Sequence, residues 1–251
     1  MASAPATGRW AAGVEYRGTG YAGWQIQRHA PSVQEELQAA LSKVADHPVE
    51  VFAAGRTDAG VHGFAQVIHF DSPARRSDHG WLLGTNSGLP PDIALRWVHP
   101  VRADFHARHS AKSRAYRYLI HNARYRSALL QGRSAWVTWN LDAVSMDRAA
   151  QALLGEQDFS AFRDAECQSP TPMRRVQRIA VWRKADVVVI DIRANAFLHH
   201  MVRNIAGSLI EVGGGRRPVQ WIAEVLASRR RILAGMNAPA CGLYFVDVEY
   251  P

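Results

Sequence analysis

Cysteine and long apolar runs are both scarce in this sequence. Two cysteines, Cys167 and Cys241, occur in 251 residues, too few and too far apart to predict a disulfide framework or a zinc cage. No run of about 18 or more uncharged apolar residues is present, and the N-terminal MASAPATGRWAAG lacks the basic start and apolar stretch of a secretory signal. We therefore expect a soluble, cytoplasmic protein with free thiols.

Acidic residues are outnumbered by basic ones. Twenty-two Asp and Glu stand against 30 Lys and Arg, which gives a net charge of +8 and favours polyanionic partners. One stretch carries eight basic residues, one acid (Asp104) and four interleaved aromatic residues: Arg102, Phe105, Arg108, Lys112, Arg114, Tyr116, Arg117, Tyr118, Arg124, Tyr125, Arg126 and Arg133. Such a mixture suits phosphate contacts and base stacking, although a solvated strand face with arginine stems lying over tyrosines explains it equally well.

Hydrophobic periodicity predicts an α+β fold with antiparallel sheets backed by helices. Ser32 and Glu35 form a capping box that predicts a helix over 33–44. Strands are predicted in the first half at 13–16, 49–53, 64–70 and 93–98. The second half repeats this pattern, with strands at 116–120, 179–182, 187–192 and 243–248 and helices at 146–154, 198–212 and 218–227. No Pro/Gly/Ser-rich linker separates the halves, so we place the boundary by charge density, giving domains 1–106 and 107–251.

The loop from Ala54 to Gly63, AGRTDAGVHG, is the most informative segment. Its three glycines allow a sharp bend and close backbone approach, so the loop can present Asp58 to a cavity. Asp-Ala-Gly is also a good turn in its own right, because Asp hydrogen-bonds its own backbone. His62 alone is typical of a hydrogen-bonded structural histidine, and no HxH or HxxxH spacing follows it to indicate a metal.

Ordered blocks along nearly the whole chain resemble the tRNA pseudouridine synthase A (TruA) family. They are VEYRGTGYAGWQ, GRTDAGVHGFAQVIHF, NSGLPPDI, DFHARHSAKSRAYRYLI, DFSAFRDAECQSPTPMRRV, NAFLHHMVRNIAGSLIEVG and GLYFVDVEYP. The resemblance implies two RRM-like halves with antiparallel sheets joined side by side, helices on the outer faces and an active-site cleft between them. It also implies an isomerase that converts uridine to pseudouridine at positions 38, 39 and 40 of the tRNA anticodon stem-loop. A homodimer with no metal or organic cofactor is implied as well.

The resemblance also assigns roles to individual residues. Asp58 matches the catalytic aspartate, Arg203 its cationic partner, and Tyr116 the tyrosine that stacks on the flipped uracil. Leu243 matches an apolar pocket residue, and Arg56 a residue that helps displace the target base. His62, Arg108 and Arg114 are candidate RNA contacts from charge and position only. Where the family usually has Asp-Gly-Thr/Ser, this chain has Arg17, Gly18 and Thr19, which puts any contact made by the missing carboxylate in doubt.

Ordinary structural roles remain open for several of these residues. Arg203 falls opposite an apolar helix stripe, as a solvated arginine would; Tyr116 fits an alternating strand that also contains Tyr118; and Leu243 fits a core position. Two other function classes stay open. One is a noncatalytic RNA-binding or RNA-chaperone module, and the other is a metal-dependent hydrolase using His62, His69, His199 and His200, for which ligand spacing is absent.

Overall fold

Two units make up residues 8–251, the part of the chain that the computed structural model describes. One contains the residues up to Lys112 together with Phe245–Pro251, and the other is Ser113–Tyr244. The observed boundary lies six residues after the expected end of the first half at residue 106. The expected domain limits also differ at the C-terminus, because most of the last strand belongs to the first unit rather than to the second.

The first unit combines an antiparallel sheet with two helices. Its elements are β1 (Gly8–Tyr16), α1 (Val33–Ala45), β2 (Phe52–Ala53), β3 (His62–Ser72), α2 (Asp78–Gly88), β4 (Ile93–Val101) and the end of β10 (Leu243–Glu249). The strand order is β4-β1-β3-β10, and β2 pairs with β3. A 3-10 turn at Gly18–Gly20 follows β1 directly. The loop that carries Asp58 thus connects β2 to β3.

Helix α1 confirms the capping-box prediction, whereas α2 was not predicted. The Ser32 hydroxyl accepts a hydrogen bond from the Glu35 backbone N–H at 3.3 Å, and the helix runs one residue past the predicted end. Three glycines in the α2 sequence lower its intrinsic helix propensity. One of them, Gly84, lies so close to Val44 of α1 that an added Cβ would be 3.0 Å from a methyl group. Close packing between the helices thus explains a glycine that obscures the helix in the sequence.

The core of the first unit lies between the sheet and these helices. Alternate residues of β1, Ala12, Val14 and Tyr16, pack with Leu37 and Trp81 of α1 and α2. Burying each large apolar side chain contributes about 1.5 to 3 kcal/mol. This packing fixes the strands from which the Asp58 loop projects.

The second unit also combines a sheet with helices. Its elements are β5 (Ser113–Asn122), β6 (Ala135–Val137), α3 (Ala143–Ala150), β7 (Gly155–Asp158), β8 (Met173–Lys184), β9 (Val187–Ala194), α4 (Met201–Gly213) and α5 (Trp221–Ser228). The strand order is β5-β9-β8-β7, and β6 pairs in parallel with β5. A tight turn joins β8 to β9, with Ala185 in the left-handed region at φ 50°.

All three helices of the second unit begin elsewhere than predicted, and α5 starts at Trp221 rather than at 218. Helix α3 starts at Ala143 because the Asp142 carboxylate accepts a hydrogen bond from the Val144 N–H at 3.0 Å. It ends in a 3-10 turn at Gln151–Leu153. Helix α4 starts three residues later than predicted, because His200 adopts φ 59° and cannot be part of the helix.

Helix α4 is the centre of the second unit's core. The predicted stripe of Met201, Ile205 and Leu209 is fully buried. The opposite side is covered as well, since Gly207 and Ile210 are also buried. Among residues 8–251, none of the helices has the length and apolar character that a membrane crossing requires.

Candidate active site

Backbone hydrogen bonds hold the Asp58 loop on both sides of the aspartate. The Trp24 N–H donates to the Thr57 carbonyl at 2.9 Å, and the Gly60 N–H donates to the Tyr21 carbonyl at 3.3 Å. The Val61 N–H closes the loop on the Asp58 carbonyl at 3.1 Å. The aspartate therefore sits on a backbone tied to the segment that follows β1, rather than on a free turn.

Two glycines before α1 allow this close approach. A Cβ on Gly18 would overlap the Val61 carbonyl oxygen. Gly23 has φ 107°, and a Cβ there would lie 2.8 Å from the Thr57 carbonyl oxygen. The GTGYAG sequence thus supplies the surface on which the loop rests.

Side chains beneath the loop are buried and hydrogen-bonded. The Tyr16 and Thr57 hydroxyls share a hydrogen bond of 2.8 Å, and burial raises the pKa of Tyr16 to about 12, so its phenol stays neutral. The buried Gln66 amide donates to the Gly55 carbonyl at 2.7 Å. Above this support Arg56 is exposed and Asp58 is partly exposed. The loop therefore presents a carboxylate and a guanidinium from a rigid base.

His62 is a support of the loop in this geometry. It is 3% exposed, and its Nδ1 accepts a hydrogen bond from the Gly18 N–H at 3.1 Å. This burial and hydrogen bond match the structural role that the sequence left open. They do not support a direct contact between His62 and RNA. Seven residues separate His62 from His69 on β3, which is roughly 23 Å along a strand. One metal ion therefore cannot bind both, and a hydrolase centre using both histidines is wrong.

Arg203 lies on α4 in the second unit, away from the apolar stripe as predicted. It is partly buried rather than solvated, because residues 231–238 cover this side of the helix. Its Nε donates to the Ala238 carbonyl at 2.9 Å, and the Ala238 N–H donates to the Arg203 carbonyl at 3.2 Å. Both the backbone and the guanidinium of Arg203 are thus fixed by one residue.

Tyr116 and Tyr118 alternate on β5, yet their environments differ. Tyr118 is fully buried, and its hydroxyl donates to the Pro239 carbonyl at 2.8 Å. Burial, followed by the nearby Cys241, raises the pKa of Tyr118 well above its usual range, while Arg203 opposes this shift. Tyr116 instead packs edge to face on Phe197, with 5.0 Å between ring centroids. The hydroxyl of Tyr118 thus has a structural use.

Leu243, Arg114 and Arg108 lie in three different environments. Leu243 is buried beside Gly242, whose Cα approaches the Tyr118 ring so closely that a Cβ would lie 2.7 Å from Cζ. Arg203, Tyr118 and Leu243 are therefore neighbours through residues 238–243. The Arg114 guanidinium donates to the Asn195 carbonyl at 3.0 Å. Arg108 is exposed on the loop after β4.

The sequence did not indicate an ion pair at the start of α4. The Asp164 carboxylate lies 2.7 Å from His200 Nδ1 and 3.5 Å from His199 Nδ1, and the two imidazoles stack with 3.9 Å between centroids. Burial alone would raise the pKa of Asp164, but hydrogen bonds from Glu166 and His200 and the nearby charges lower it overall. This pair fixes His200, the residue that directly precedes α4. Met201 and Val202 separate His200 from Arg203. The signal was present in DFSAFRD and NAFLHH, which become adjacent only in the fold.

The departure at Arg17 has a local partner. Its guanidinium lies 3.9 Å from the Asp92 carboxylate, which also accepts a hydrogen bond from the Tyr21 hydroxyl at 2.7 Å. The Arg17 N–H donates to the Asp92 carbonyl at 2.9 Å, so the turn itself is retained. The side chain is half exposed and adds positive charge beside the segment that supports the Asp58 loop.

Comparison with known proteins identifies relatives of this chain. A family model described as tRNA pseudouridine synthase matches residues 12–110 and 149–251. A protein of Aeromonas hydrophila named tRNA pseudouridine synthase A is 58% identical over 97% of this chain and 90% of its own length. Proteins of the same name from Pectobacterium atrosepticum and Klebsiella pneumoniae are 56% and 57% identical over 96% of this chain and 85% and 89% of theirs.

Solved structures give much weaker matches. A structure of an H/ACA ribonucleoprotein bound to a substrate RNA shares 9% identity over 94% of this chain and 57% of its own, with a TM-score of 0.38. That similarity is too low to support an argument. The family model and the close relatives are sufficient, and they show that the chain belongs to the tRNA pseudouridine synthase family, among its tRNA pseudouridine synthase A members.

Proposed function

We propose that this protein isomerises uridine to pseudouridine in tRNA, at positions 38, 39 and 40 of the anticodon stem-loop. The observation that carries the proposal is the Asp58 loop, whose backbone is held on both sides while the carboxylate stays partly exposed. A catalytic group needs such a fixed position, because a misplacement of about 1 Å can cost roughly a hundredfold in rate. The relatives named above carry this activity in their names.

Asp58 is the proposed nucleophile. Its carboxylate attacks the target nucleoside, the bond from C1′ to N1 breaks, and the uracil rotates. A new bond then forms from C1′ to C5, the covalent bond to Asp58 breaks, C5 loses a proton, and N1 gains one. Attack at ribose C1′ and attack at uracil C6 both use Asp58 as the nucleophile, whereas a glycal route would use its carboxylate as a base. The reaction has no redox or phosphoryl step, so the chemistry requires no cofactor.

The second unit supplies the other proposed groups. Arg203 provides the positive charge that keeps a desolvated carboxylate ionised. The hydrogen bond from its Nε to the Ala238 carbonyl restricts the orientation of the guanidinium. Tyr116 stacks on the excised base, an interaction worth about 1 to 3 kcal/mol. Leu243 contributes apolar surface to the pocket.

Base flipping is part of the proposal. The target uridine must leave its stack at a cost of a few kcal/mol, and contacts to the rest of the RNA offset that cost. Arg56 is exposed beside Asp58 and is the proposed side chain that displaces the base. Arg108 and Arg114 are proposed phosphate contacts, while His62 acts by holding the loop.

We also propose that the enzyme is cytoplasmic and built from the two RRM-like halves that the family resemblance implies. A homodimer is also proposed, and the first unit offers a surface for it. A groove of about 1050 Å³ on this unit exposes Phe64 and Trp97. Its lining carries both signs of charge, including Glu15 and Arg102, so opposite charges can meet when two copies pair about a two-fold axis. A monomer mass by light scattering would contradict the dimer, and Phe64→Glu should lower the mass of a dimer.

The function is tested with purified protein and unmodified tRNA. Pseudouridine should form at positions 38, 39 and 40 with the wild type, and Asp58→Ala should form none while retaining its fold. Asp71→Ala is a matched control, since Asp71 is an aspartate of the same unit on β3, at the opposite end of the strand from the loop. If the wild type forms no pseudouridine on any tRNA, the proposal is wrong.

A further inference from the structure

The segment of residues 229–238, which follows α5, is basic and partly apolar. Arg229, Arg230 and Arg231 are consecutive, and no Asp or Glu occurs from Val225 to Gly242. Arg229 pairs with Asp158 at 3.2 Å. The segment contains only a short 3-10 turn, so packing rather than secondary structure must fix it.

Side chains of α4 hold this segment in one conformation. The Gly235 N–H donates to the Ser208 hydroxyl at 2.9 Å, and Arg231 donates to the Asn204 side chain at 2.8 Å. A second nitrogen of Arg231 donates to the Gly235 carbonyl at 2.9 Å. Arg231 is therefore used internally, and the backbone of the segment is rigid.

The same segment reaches Arg203. Ala238 forms the two hydrogen bonds with Arg203 described above. Met236 is two residues earlier, at most about 7 Å along an extended chain. Its carbonyl lies directly against Gly207, where any Cβ would overlap it. RNA that reaches Arg203 must therefore come close to Met236.

Several side chains of this rigid segment point into solvent. Met236 is 86% exposed, the highest value among the large hydrophobic residues of the described part of the chain, and Ile232 is 80% exposed. Arg230 is exposed as well. Isolated exposed apolar residues are common. Here two exposed apolar residues lie close in sequence to arginines, on a fixed backbone that is hydrogen-bonded to Arg203. This combination is typical of a contact surface.

We propose that Arg230, Ile232 and Met236 form an RNA contact surface for the nucleotides that flank the target uridine. This inference rests on the proposed function. Arg230 contacts a phosphate, and the two apolar side chains pack against base faces exposed when the target base leaves its stack. The rigid backbone favours binding, because little conformational entropy is lost in forming the contact.

An RNA partner fits this surface better than a protein partner. The segment carries only positive charge, so two copies of it that face each other in an isologous contact would repel. The groove of the first unit has both signs; this segment does not.

The test measures tRNA affinity in the Asp58→Asn background, where binding is separated from turnover. Met236→Ala and Ile232→Ala should each weaken binding roughly 3- to 10-fold, as truncation of an interface side chain does. Arg230→Ala should reduce the slope of log K against log salt by about 0.7 to 0.9, the share of one phosphate. Thermal midpoints should stay unchanged, because all three side chains are exposed.

Val144→Ala and Arg148→Ala are the matched controls, since they remove an exposed apolar residue and an exposed arginine from α3 of the same unit. They should change affinity by less than about twofold. Binding of all three segment variants at the control level would overturn the surface. A Met236→Ala protein with altered oligomeric mass but normal tRNA affinity would also overturn it, in favour of a second copy. Failure of the wild type to form pseudouridine would instead refute the proposed function, whatever the affinities.

Discussion

Replacing Gly207 by alanine should separate the catalytic role of Arg203 from the stability of its helix. An added Cβ would overlap the Met236 carbonyl oxygen and lie 3.0 Å from the Met236 carbonyl carbon. Ordinary carbon contacts are about 3.5 to 4.0 Å. The segment over α4 must therefore move by roughly 1 Å, and Ala238, which holds Arg203, belongs to that segment.

The magnitude follows from opposing effects. Overpacking costs about 1 to 3 kcal/mol, and loss of the hydrogen bonds from Gly235 to Ser208 and between Arg203 and Ala238 costs about 0.5 to 1.5 kcal/mol each. Alanine in a helix interior is more stabilising than glycine by about 1 kcal/mol, which offsets part of this loss. The net loss is about 1.5 to 6.5 kcal/mol, and a protein of ordinary stability stays folded over the lower part of that range. The rate of pseudouridine formation should also fall, because a shift of about 1 Å at a catalytic group lowers the rate roughly a hundredfold.

The assay compares single-turnover pseudouridine formation with thermal unfolding. Gly88→Ala is the matched control, since a Cβ at this helical glycine would meet only Ala40, at an ordinary 3.7 Å. It should leave both rate and stability close to the wild type. A Gly207→Ala protein with wild-type turnover would refute the view that the 229–238 segment positions Arg203.

Further predictions concern the histidine and the two tyrosines. Burial, and then nearby positive charge, lowers the pKa of His69 to about 4, and its Nδ1 accepts a hydrogen bond from the Ala107 N–H. The unfolded chain binds this proton near pH 6.5, so stability should fall as the pH drops from about 6.5 towards 4. His69→Asn, whose side-chain oxygen can accept the same bond, should flatten that part of the profile of unfolding free energy. Tyr118→Phe should cost about 1 to 2 kcal/mol in thermal stability, because the Pro239 carbonyl loses its donor, and should keep most activity. Tyr116→Ala should lose most activity; equal losses in the two tyrosine variants would contradict the assigned roles.

Local signals in the sequence predicted the elements that depend on their own residues. Helix α1 follows from Ser32 and Glu35, which are three positions apart, and the buried stripe of α4 follows from its 3.6-residue period. Helix α2 was missed because a glycine such as Gly84 lowers propensity, and only packing against Val44 explains it. The start of α4 was misplaced because no sequence rule predicts that His200 takes a left-handed conformation.

The residues of the candidate site also differ in how far local sequence could predict their surroundings. The loop that carries Asp58 could be recognised between two strands because its glycine-flanked residues are contiguous in sequence. The support of Arg203 was not, because Ala238 lies 35 residues away along the chain. Arg203 was correctly placed off the apolar stripe, yet its helix face is covered rather than solvated. The sequence did not predict this cover, because the covering segment has no helical or strand pattern of its own. Asp164 and His200 were likewise too distant in sequence to be paired.

The central claim is that the carboxylate of Asp58 carries out the chemistry, and Asp58→Asn tests it most directly. The amide keeps the shape of the side chain but removes its charge, so unmodified tRNA should bind within a few fold of wild type. No pseudouridine should form at positions 38, 39 or 40 under single-turnover conditions. Formation of pseudouridine by Asp58→Asn at the wild-type rate would contradict the account.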